Sequence, residues 1–139
     1  MDKLSPERRS ANMRAIRSES TKPEMAVRQL VHRMGYRYRL HRKDLPGKPD
    51  LVFASRRKVI FVHGCFWHQH PDKHCKDARP PRSNLDYWQP KLARNIARDG
   101  ENQAALAAQG WRLLVIWECE TTNPRDLARR VKSFLGRSA

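Results

Sequence analysis

Residues 59–75 read VIFVHGCFWHQHPDKHC and place four histidines and two cysteines directly behind a run of strand-forming residues. Thiolates combined with an imidazole form the donor set that a structural zinc ion prefers. The chain has three cysteines, two in this stretch and one near its carboxyl end. We predict that all three bind one zinc ion together with one histidine. The predicted ligands are Cys65, His70, Cys75 and Cys119.

Two alternatives to this ligand set follow from the sequence. His74 is adjacent to Cys75 and is a rival zinc ligand. The cysteines could also be inert core residues, because a free cysteine behaves as a small apolar side chain, and the histidines would then be surface polar groups. The clustering of thiols and imidazoles in one short segment favours the metal site.

A histidine that zinc does not need is available for proton transfer. His68 lies between two predicted ligands, and a neutral imidazole near pH 7 can accept a proton from water. In the helix predicted over residues 84–109, Asp99 falls on an apolar stripe, so we expect its carboxylate to face inward. It would either form a structural ion pair or orient His68 as a base. The other members of the stripe are Leu92, Ile96, Gln103 and Leu106.

Asp50 places an acidic side chain at the entrance to a predicted strand, where aspartate is unfavourable and costly to bury. A simple turn residue beside Pro-Gly is the alternative interpretation. The neighbouring predicted strand ends in VHG, residues 62–64. A carboxylate beside a strand-end carbonyl makes a hard-oxygen site suited to Mg²⁺.

The charge of the chain indicates its class of partner. Lys and Arg number 29 against 14 acidic residues, which gives a net charge of +15. Such an excess on 139 residues favours a nucleic acid over a generic basic surface. Phe66, Trp67 and Trp88 are therefore candidates for stacking on bases, with burial in the core as the alternative.

The predicted elements that position these residues form one domain, residues 1–139, with a mixed sheet flanked by helices, an α/β class. We predict a helical amino-terminal arm over residues 1–20 and a zinc and stacking loop over residues 63–82. Strands are predicted at residues 36–40, 49–54, 58–62 and 111–119. Helices are predicted to begin at or after Ser5, Thr21, Ser83 and Asn123.

No apolar run approaches the roughly 20 residues of a membrane span, and the amino terminus lacks the apolar region of a secretory signal. An odd number of cysteines without such a signal argues against a disulfide scaffold. We therefore expect a cytoplasmic protein without a membrane partner.

Taken together, these motifs resemble the very-short-patch repair endonucleases, bacterial enzymes that nick DNA at T·G mismatches. The match spans residues 10–119 in unbroken order. It runs through SANMRAIRS, TKPE, LPGKPDLVF, VIFVHGCFWHQH, YW, NIARD and GWRLLVIWEC. The resemblance implies a restriction-endonuclease-like fold and a monomeric, nucleoid-associated enzyme. It also implies Mg²⁺-dependent nicking of one strand of double-stranded DNA at T·G mismatches that arise from 5-methylcytosine deamination, with mismatch-repair proteins as candidate partners.

The resemblance also implies residue roles. Asp50 and the backbone carbonyl of Val62 would bind Mg²⁺, His68 would activate the attacking water, and Asp99 would support His68 or the metal-bound waters. Further active-site contributors would be Glu24 and His63. The structural zinc would use the cysteines and histidine named above.

Other residues would contact the DNA. Phe66, Trp67 and Trp88 would intercalate beside the mismatch from the major groove. The contacts in the minor groove would come from Asn12, Met13 and Arg14.

Two departures bear on these expectations. Val62 stands where a related enzyme has threonine, which is harmless if only the backbone oxygen binds metal. The spacing HPDKHC, residues 70–75, is longer than the compact histidine-rich form of the family, which leaves His74 as a rival to Cys75 or His70. Compared with the wider restriction-nuclease superfamily, the usual second acid and lysine are absent, and FVH stands there at residues 61–63. Two rival functions remain: a nuclease of the same fold without mismatch preference, and a non-catalytic, zinc-stabilised DNA-binding module.

Overall fold

The computed structural model describes residues 21–72, 74–79 and 83–137. The predicted arm over residues 1–20, with Asn12, Met13 and Arg14, lies outside these residues.

The described residues form four helices and four strands. The helices are α1 (Lys22–Arg33), α2 (Cys65–His68), α3 (Leu85–Ala108) and α4 (Pro124–Leu135). The strands are β1 (Arg39–Leu40), β2 (Leu51–Phe53), β3 (Lys58–His63) and β4 (Arg112–Trp117). Short 3₁₀ turns lie at Ala54–Arg56, Lys76–Ala78 and Glu118–Thr122.

The strands form one mixed sheet in the order β1-β2-β3-β4. β1 and β2 are antiparallel, as are β2 and β3, whereas β3 and β4 run parallel from the Lys58–Arg112 pair to the His63–Trp117 pair. Parallel strands need a long crossover, and α3 supplies it. The predicted mixed α/β sheet and its β2–β3 hairpin are confirmed.

Alternating side chains divide the core between the two faces of the sheet. Leu51, Phe53 and Ile60 pack with residues of α1 and α4, whereas Val52 and Val59 pack with Leu106 of α3 and with Trp111. The sheet is therefore covered on both faces, and its strands are rich in β-branched and aromatic residues.

Two predicted helix starts are confirmed by their caps. The Thr21 hydroxyl accepts a hydrogen bond from the Glu24 backbone N–H at 3.4 Å, and the Asn123 side chain accepts one from the Asp126 N–H at 3.2 Å. In both helices a proline lies in the first turn, where its missing N–H costs no hydrogen bond.

Several predicted boundaries are wrong. β1 spans only Arg39–Leu40, because Tyr36 and Tyr38 contribute side chains to the core without pairing in the sheet. The predicted loop over residues 63–82 contains the short helix α2. Ser83 does not cap α3, since Asn84 intervenes in a left-handed conformation with a φ of 55°.

The apolar stripe on α3 is only partly correct. Leu92 and Leu106 are buried, but Ile96 is 51% exposed. Residues three apart on an α-helix differ by about 60° in direction, so Ile96 lies at the edge of the face that carries Asp99. Ile96 belongs to neither of the two core clusters, and about half of its surface is in solvent.

None of the helices in the described ranges combines the length and apolar character needed to cross a bilayer.

Leu106 and Ile96 provide a matched test of this packing. Leu106→Ala should lower the free energy of unfolding by about 2–5 kcal/mol, because it leaves a cavity under a fully buried side chain. Ile96→Ala, on the exposed edge of the same helix, should change it by no more than about 0.5 kcal/mol. Urea unfolding followed by circular dichroism measures both, and equal losses would contradict the observed packing.

Candidate functional site

A cleft of about 800 Å³ opens between the amino end of α1, the carboxyl end of β3, α2 and the middle of α3. It brings together predicted site residues that are far apart in the sequence. Those that line it are Glu24, Asp50, Val62, His63, Phe66, Trp67, His68 and Asp99.

One wall of the cleft carries a group of two carboxylates and one imidazole, of which Glu24 is buried and His41 and Asp50 are partly buried. Nε2 of His41 lies 2.9 Å from Oε2 of Glu24 and 3.8 Å from Oδ1 of Asp50. The backbone N–H of Val62 donates a hydrogen bond to Oδ2 of Asp50 at 2.7 Å. Acidic and imidazole groups that converge in this way could bind a divalent cation.

The environment of Asp50 disfavours its charged form. The pKa of Asp50 is raised to about 7, mainly by burial and also by the negative charge of Glu24, while the hydrogen bond from the Val62 N–H opposes the shift. A bound cation would act in the opposite direction and favour the carboxylate.

The prediction placed Asp50 beside Val62, and the structure does so. The Asp50 carboxylate accepts a hydrogen bond from the Val62 N–H, whereas the prediction was that the Val62 carbonyl binds a metal ion together with Asp50. His41 was missed, because it stands in the basic segment LHRKD and carries no periodicity or motif. Only the antiparallel pairing of β1 with β2, which juxtaposes residues 40 and 51, brings it to Asp50.

The opposite wall carries a pair of stacked histidines and a carboxylate. Nδ1 of His68 donates a hydrogen bond to Oδ2 of Asp99 at 2.5 Å, the contact that helix periodicity suggested. The ring of His63 stacks on that of His68, with centroids 3.8 Å apart and planes inclined by 7°. With Nδ1 engaged, Nε2 is the nitrogen of His68 through which a proton can be exchanged.

His63 is held neutral in this arrangement. Burial lowers the pKa of His63 to about 4, and the neighbouring His68 contributes to the shift, while Asp99 opposes it. Its Nδ1 has no hydrogen-bond partner within the described part of the chain. A neutral ring beside His68 provides a rigid surface without adding a second titrating base near pH 7.

The four predicted zinc ligands lie together, with every pair of donor atoms within 4.8 Å. Nδ1 of His70 lies 3.8 Å from Sγ of Cys65 and 3.5 Å from Sγ of Cys119, and the Sγ atoms of Cys75 and Cys119 are 4.0 Å apart. Tetrahedral zinc with bonds of about 2.0–2.3 Å needs donors about 3.5–3.8 Å apart. The group therefore fits a metal ion of that size and geometry.

His74, the rival ligand, is exposed and does not belong to this donor group. The three cysteines form no disulfide. Burial raises the pKa of the Cys65 and Cys119 thiols, so in the absence of a cation they remain protonated.

Local structure explains how one short segment serves several purposes. β3 ends at His63, and α2 starts after Gly64, so Cys65 and His68 lie on a single helical turn. Gln69 then adopts a left-handed conformation with a φ of 50°, which reverses the chain and returns His70 to Cys65. The Asn95 side chain donates a hydrogen bond to the Trp67 carbonyl at 3.1 Å and attaches the turn to α3.

The three predicted stacking residues form one aromatic cluster at the rim of the cleft. The ring centroid of Phe66 lies 5.2 Å from that of Trp67 and 5.3 Å from that of Trp88, and the two tryptophans are 5.6 Å apart. All three side chains are partly exposed. Tyr87, which is exposed and 4.9 Å from Trp88, extends the cluster, and only its position beside Trp88 could have indicated it.

Comparison with known proteins gives a consistent set of relatives. The family model described as DNA mismatch endonuclease Vsr matches residues 1–76. The Type II nicking enzyme V.XorIIP of Xanthomonas oryzae is 56% identical over 134 residues, which are 96% of each chain. The Type II nicking enzyme V.NmeAIP of Neisseria meningitidis is 40% identical over 96% of this chain and 94% of its own length. DNA mismatch endonuclease Vsr of Escherichia coli is 40% identical over 80% of this chain and 69% of its own length.

The four-donor group predicts a tightly bound metal ion. Cys75→Ser should remove most of the metal from the purified protein and lower the free energy of unfolding by at least about 3 kcal/mol, because metal binding contributes directly to folding. His74→Ala, one residue away and outside the donor group, should leave the metal content near one ion per chain. Elemental analysis by mass spectrometry measures both, and metal loss in the His74 variant alone would contradict this ligand set.

Proposed function

Because the chain belongs to the Vsr family of DNA mismatch endonucleases and is a DNA endonuclease, we propose that it nicks one strand of duplex DNA at T·G mismatches that arise from 5-methylcytosine deamination. Its cofactors would be Mg²⁺ in the cleft and structural Zn²⁺ at the cysteine-histidine group. The relatives that are named nicking enzymes support cleavage of a single strand.

The observation that carries this proposal is the adjacency of the aromatic cluster and the base candidate. Phe66, Trp67 and His68 are consecutive residues of the helical turn α2. Rings inserted between adjacent base pairs would hold the neighbouring phosphate within a few ångströms of the His68 imidazole. Recognition and cleavage would then depend on one rigid turn.

Discrimination would come from the energy of opening the duplex. Inserting aromatic side chains between base pairs costs a few kcal/mol of stacking. A T·G wobble pair is easier to open than a matched pair, so the same rings would enter a mismatch more readily. Phe66 contacts Trp67 and Trp88 edge to face, and the two tryptophans are tilted by 57° to each other, so the three rings would have to separate or move together to admit a base.

Proton transfer would centre on His68. Asp99 accepts the Nδ1 hydrogen, which leaves Nε2 as the basic nitrogen and stabilises the imidazolium that forms after it takes a proton from water. General-base catalysis of this kind contributes about 10²–10⁴-fold. His63, stacked on His68 and neutral, would limit the movement of the ring.

The acidic wall would bind the catalytic ion. Oδ1 of Asp50 faces His41, and the carboxylate of Glu24 lies beside it. The carboxylate oxygens of Asp50 and Glu24 are ligands that suit Mg²⁺. When bound, Mg²⁺ polarises the phosphate and stabilises the leaving 3′-oxygen. The carbonyl of Val62 remains a candidate for the second protein ligand.

The remaining expectations accompany this function. A net charge of +15 would draw the protein to DNA and make binding depend on salt. The arm over residues 1–20 would cross the minor groove through Asn12, Met13 and Arg14. We propose a restriction-endonuclease-like fold and a monomer in the bacterial cytoplasm, associated with the nucleoid and with mismatch-repair proteins.

Catalysis and binding can be separated at Asp50. Asp50→Asn keeps the size of the side chain and an oxygen that can accept from Val62 N–H, but it removes the charge that a cation needs. It should lower single-turnover nicking at least about 10³-fold while DNA affinity stays within about threefold. Asp44→Asn changes an exposed acid that pairs with Arg42 in the same segment, and it serves as the control. Unchanged nicking by the Asp50 variant would leave the non-catalytic DNA-binding module as the better account.

Mismatch preference needs its own assay. A panel of T·G duplexes with varied flanking bases should be nicked at least about tenfold faster than the matched C·G duplexes, since a factor of ten requires only about 1.4 kcal/mol of difference in opening. The rates should be measured with and without Mg²⁺. Equal rates on matched and mismatched DNA would support the nuclease without mismatch preference.

A further inference from the structure

The imidazole of His41 lies between two carboxylates and faces both through the same nitrogen. Nε2 is 2.9 Å from Oε2 of Glu24 and 3.8 Å from Oδ1 of Asp50. Three donor atoms from α1, the residue after β1 and the residue before β2 therefore converge on one point of the cleft wall.

The two oxygens of Asp50 have different surroundings. Oδ2 accepts the backbone N–H of Val62 at 2.7 Å, and this bond orients the carboxylate. Oδ1 is the oxygen that lies closer to His41. The backbone of β3 thus turns the other oxygen towards the imidazole and the Glu24 carboxylate.

The group is largely buried and contains two acidic side chains. The side chains of Glu24, His41 and Asp50 are 3%, 10% and 21% exposed. Two neighbouring carboxylates in such a place are costly unless a cation or a proton compensates them. Arg28 approaches Glu24 from outside the cleft at 3.4 Å, and Lys48 lies on the cleft wall near Asp50.

The backbone at His41 is bent in a way that serves this contact. Its φ is 48°, a left-handed conformation that costs a non-glycine residue about 1 kcal/mol. Its N–H donates to the Asp50 carbonyl at 3.2 Å, so the bend is attached to the residue that its side chain approaches. Without this conformation the chain would leave β1 in the extended direction of the strand.

We propose that His41 is a nitrogen ligand of the catalytic metal ion, and that Glu24, His41 and Asp50 bind this ion on one face. The inference rests on the proposed function, which places the ion at Asp50. Adjacent ligands at about 2.1 Å in an octahedral site are about 3 Å apart. The 2.9 Å between Nε2 of His41 and Oε2 of Glu24 already matches this value. The 3.8 Å between Nε2 and Oδ1 of Asp50 would have to shorten by less than about 1 Å.

A nitrogen ligand changes the preference of the site among divalent ions. Mg²⁺ is bound in proteins mainly through oxygen ligands and water, whereas Mn²⁺ accepts both oxygen and imidazole. The site therefore favours Mn²⁺ over Mg²⁺ more strongly than a site built from Asp50, a carbonyl and water. His41 would determine metal preference and would hold Glu24 in the coordination sphere.

The test is the direct detection of the nitrogen by pulsed electron paramagnetic resonance. Mn²⁺ alone is added to the full-length protein that contains its structural zinc, which is diamagnetic and silent. The wild-type protein should show a ¹⁴N coupling from a directly bound imidazole. His41→Gln, which offers an oxygen at similar reach, should lose the coupling, while His68→Gln on the opposite wall should retain it.

Affinities give a second readout that is independent of nicking. His41→Gln should weaken Mn²⁺ binding roughly tenfold and change Mg²⁺ binding much less, so the ratio of the two affinities falls. Absence of ¹⁴N coupling in the wild-type protein, or its survival in His41→Gln, would overturn the inference. If His41→Gln does not fold, absence of ¹⁴N coupling in the wild-type protein still overturns the inference, and coupling that survives in His68→Gln supports it.

Asp50→Asn distinguishes this inference from the proposed function. If Mn²⁺ binding depends on Asp50 but shows no nitrogen coupling, His41 is not a ligand and the metal site at Asp50 stands. If Mn²⁺ binds equally well to Asp50→Asn, the metal site of the proposed function fails, and the inference fails with it.

Discussion

The parallel pairing of β3 with β4 is the constraint on which the rest of the structure depends. It runs from the Lys58–Arg112 pair to the His63–Trp117 pair, so both strands end at the same edge of the sheet. Cys65 and Cys119 follow those ends and meet although 53 residues separate them in the chain. The same pairing forces a long crossover, and α3 therefore lies over the edge where Asp99 can reach His68.

The cysteine-histidine group around Cys65 and the cleft residues lie at this same edge of the sheet. The two groups offer different types of metal donor. Soft sulfur donors and one imidazole form one group, and the hard carboxylates of Glu24 and Asp50 lie in another. Under the proposed function, one ion would stabilise the fold while another would be available to the reaction. The turn α2 is held by the hydrogen bond from Asn95 to the Trp67 carbonyl and by that from the His70 N–H to the Cys65 carbonyl. These contacts restrict the positions of Trp67 and His68.

The cleft combines opposite electrostatic demands. Its acidic wall favours a proton or a cation, since burial and the like charge of Glu24 raise the pKa of Asp50 to about 7. Its histidine wall excludes a positive charge from His63, whose pKa burial lowers to about 4. The surrounding surface of a chain with a net charge of +15 attracts a polyanion. Under the proposed function, a DNA phosphate with a divalent ion would satisfy all three conditions.

The sequence by itself determined the features that depend on residue type and short separations. The donor set of Cys65, His70, Cys75 and Cys119, the caps at Thr21 and Asn123, and the direction of Asp99 on its helix followed from side-chain chemistry and from periods of two or 3.6 residues. Tertiary structure decided the rest. It placed His41 beside Glu24 and Asp50, left His74 outside the cysteine-histidine group, and exposed Ile96. Periodicity gives the direction of a side chain around its own helix or strand, but what it meets there is set by segments that are distant in the chain.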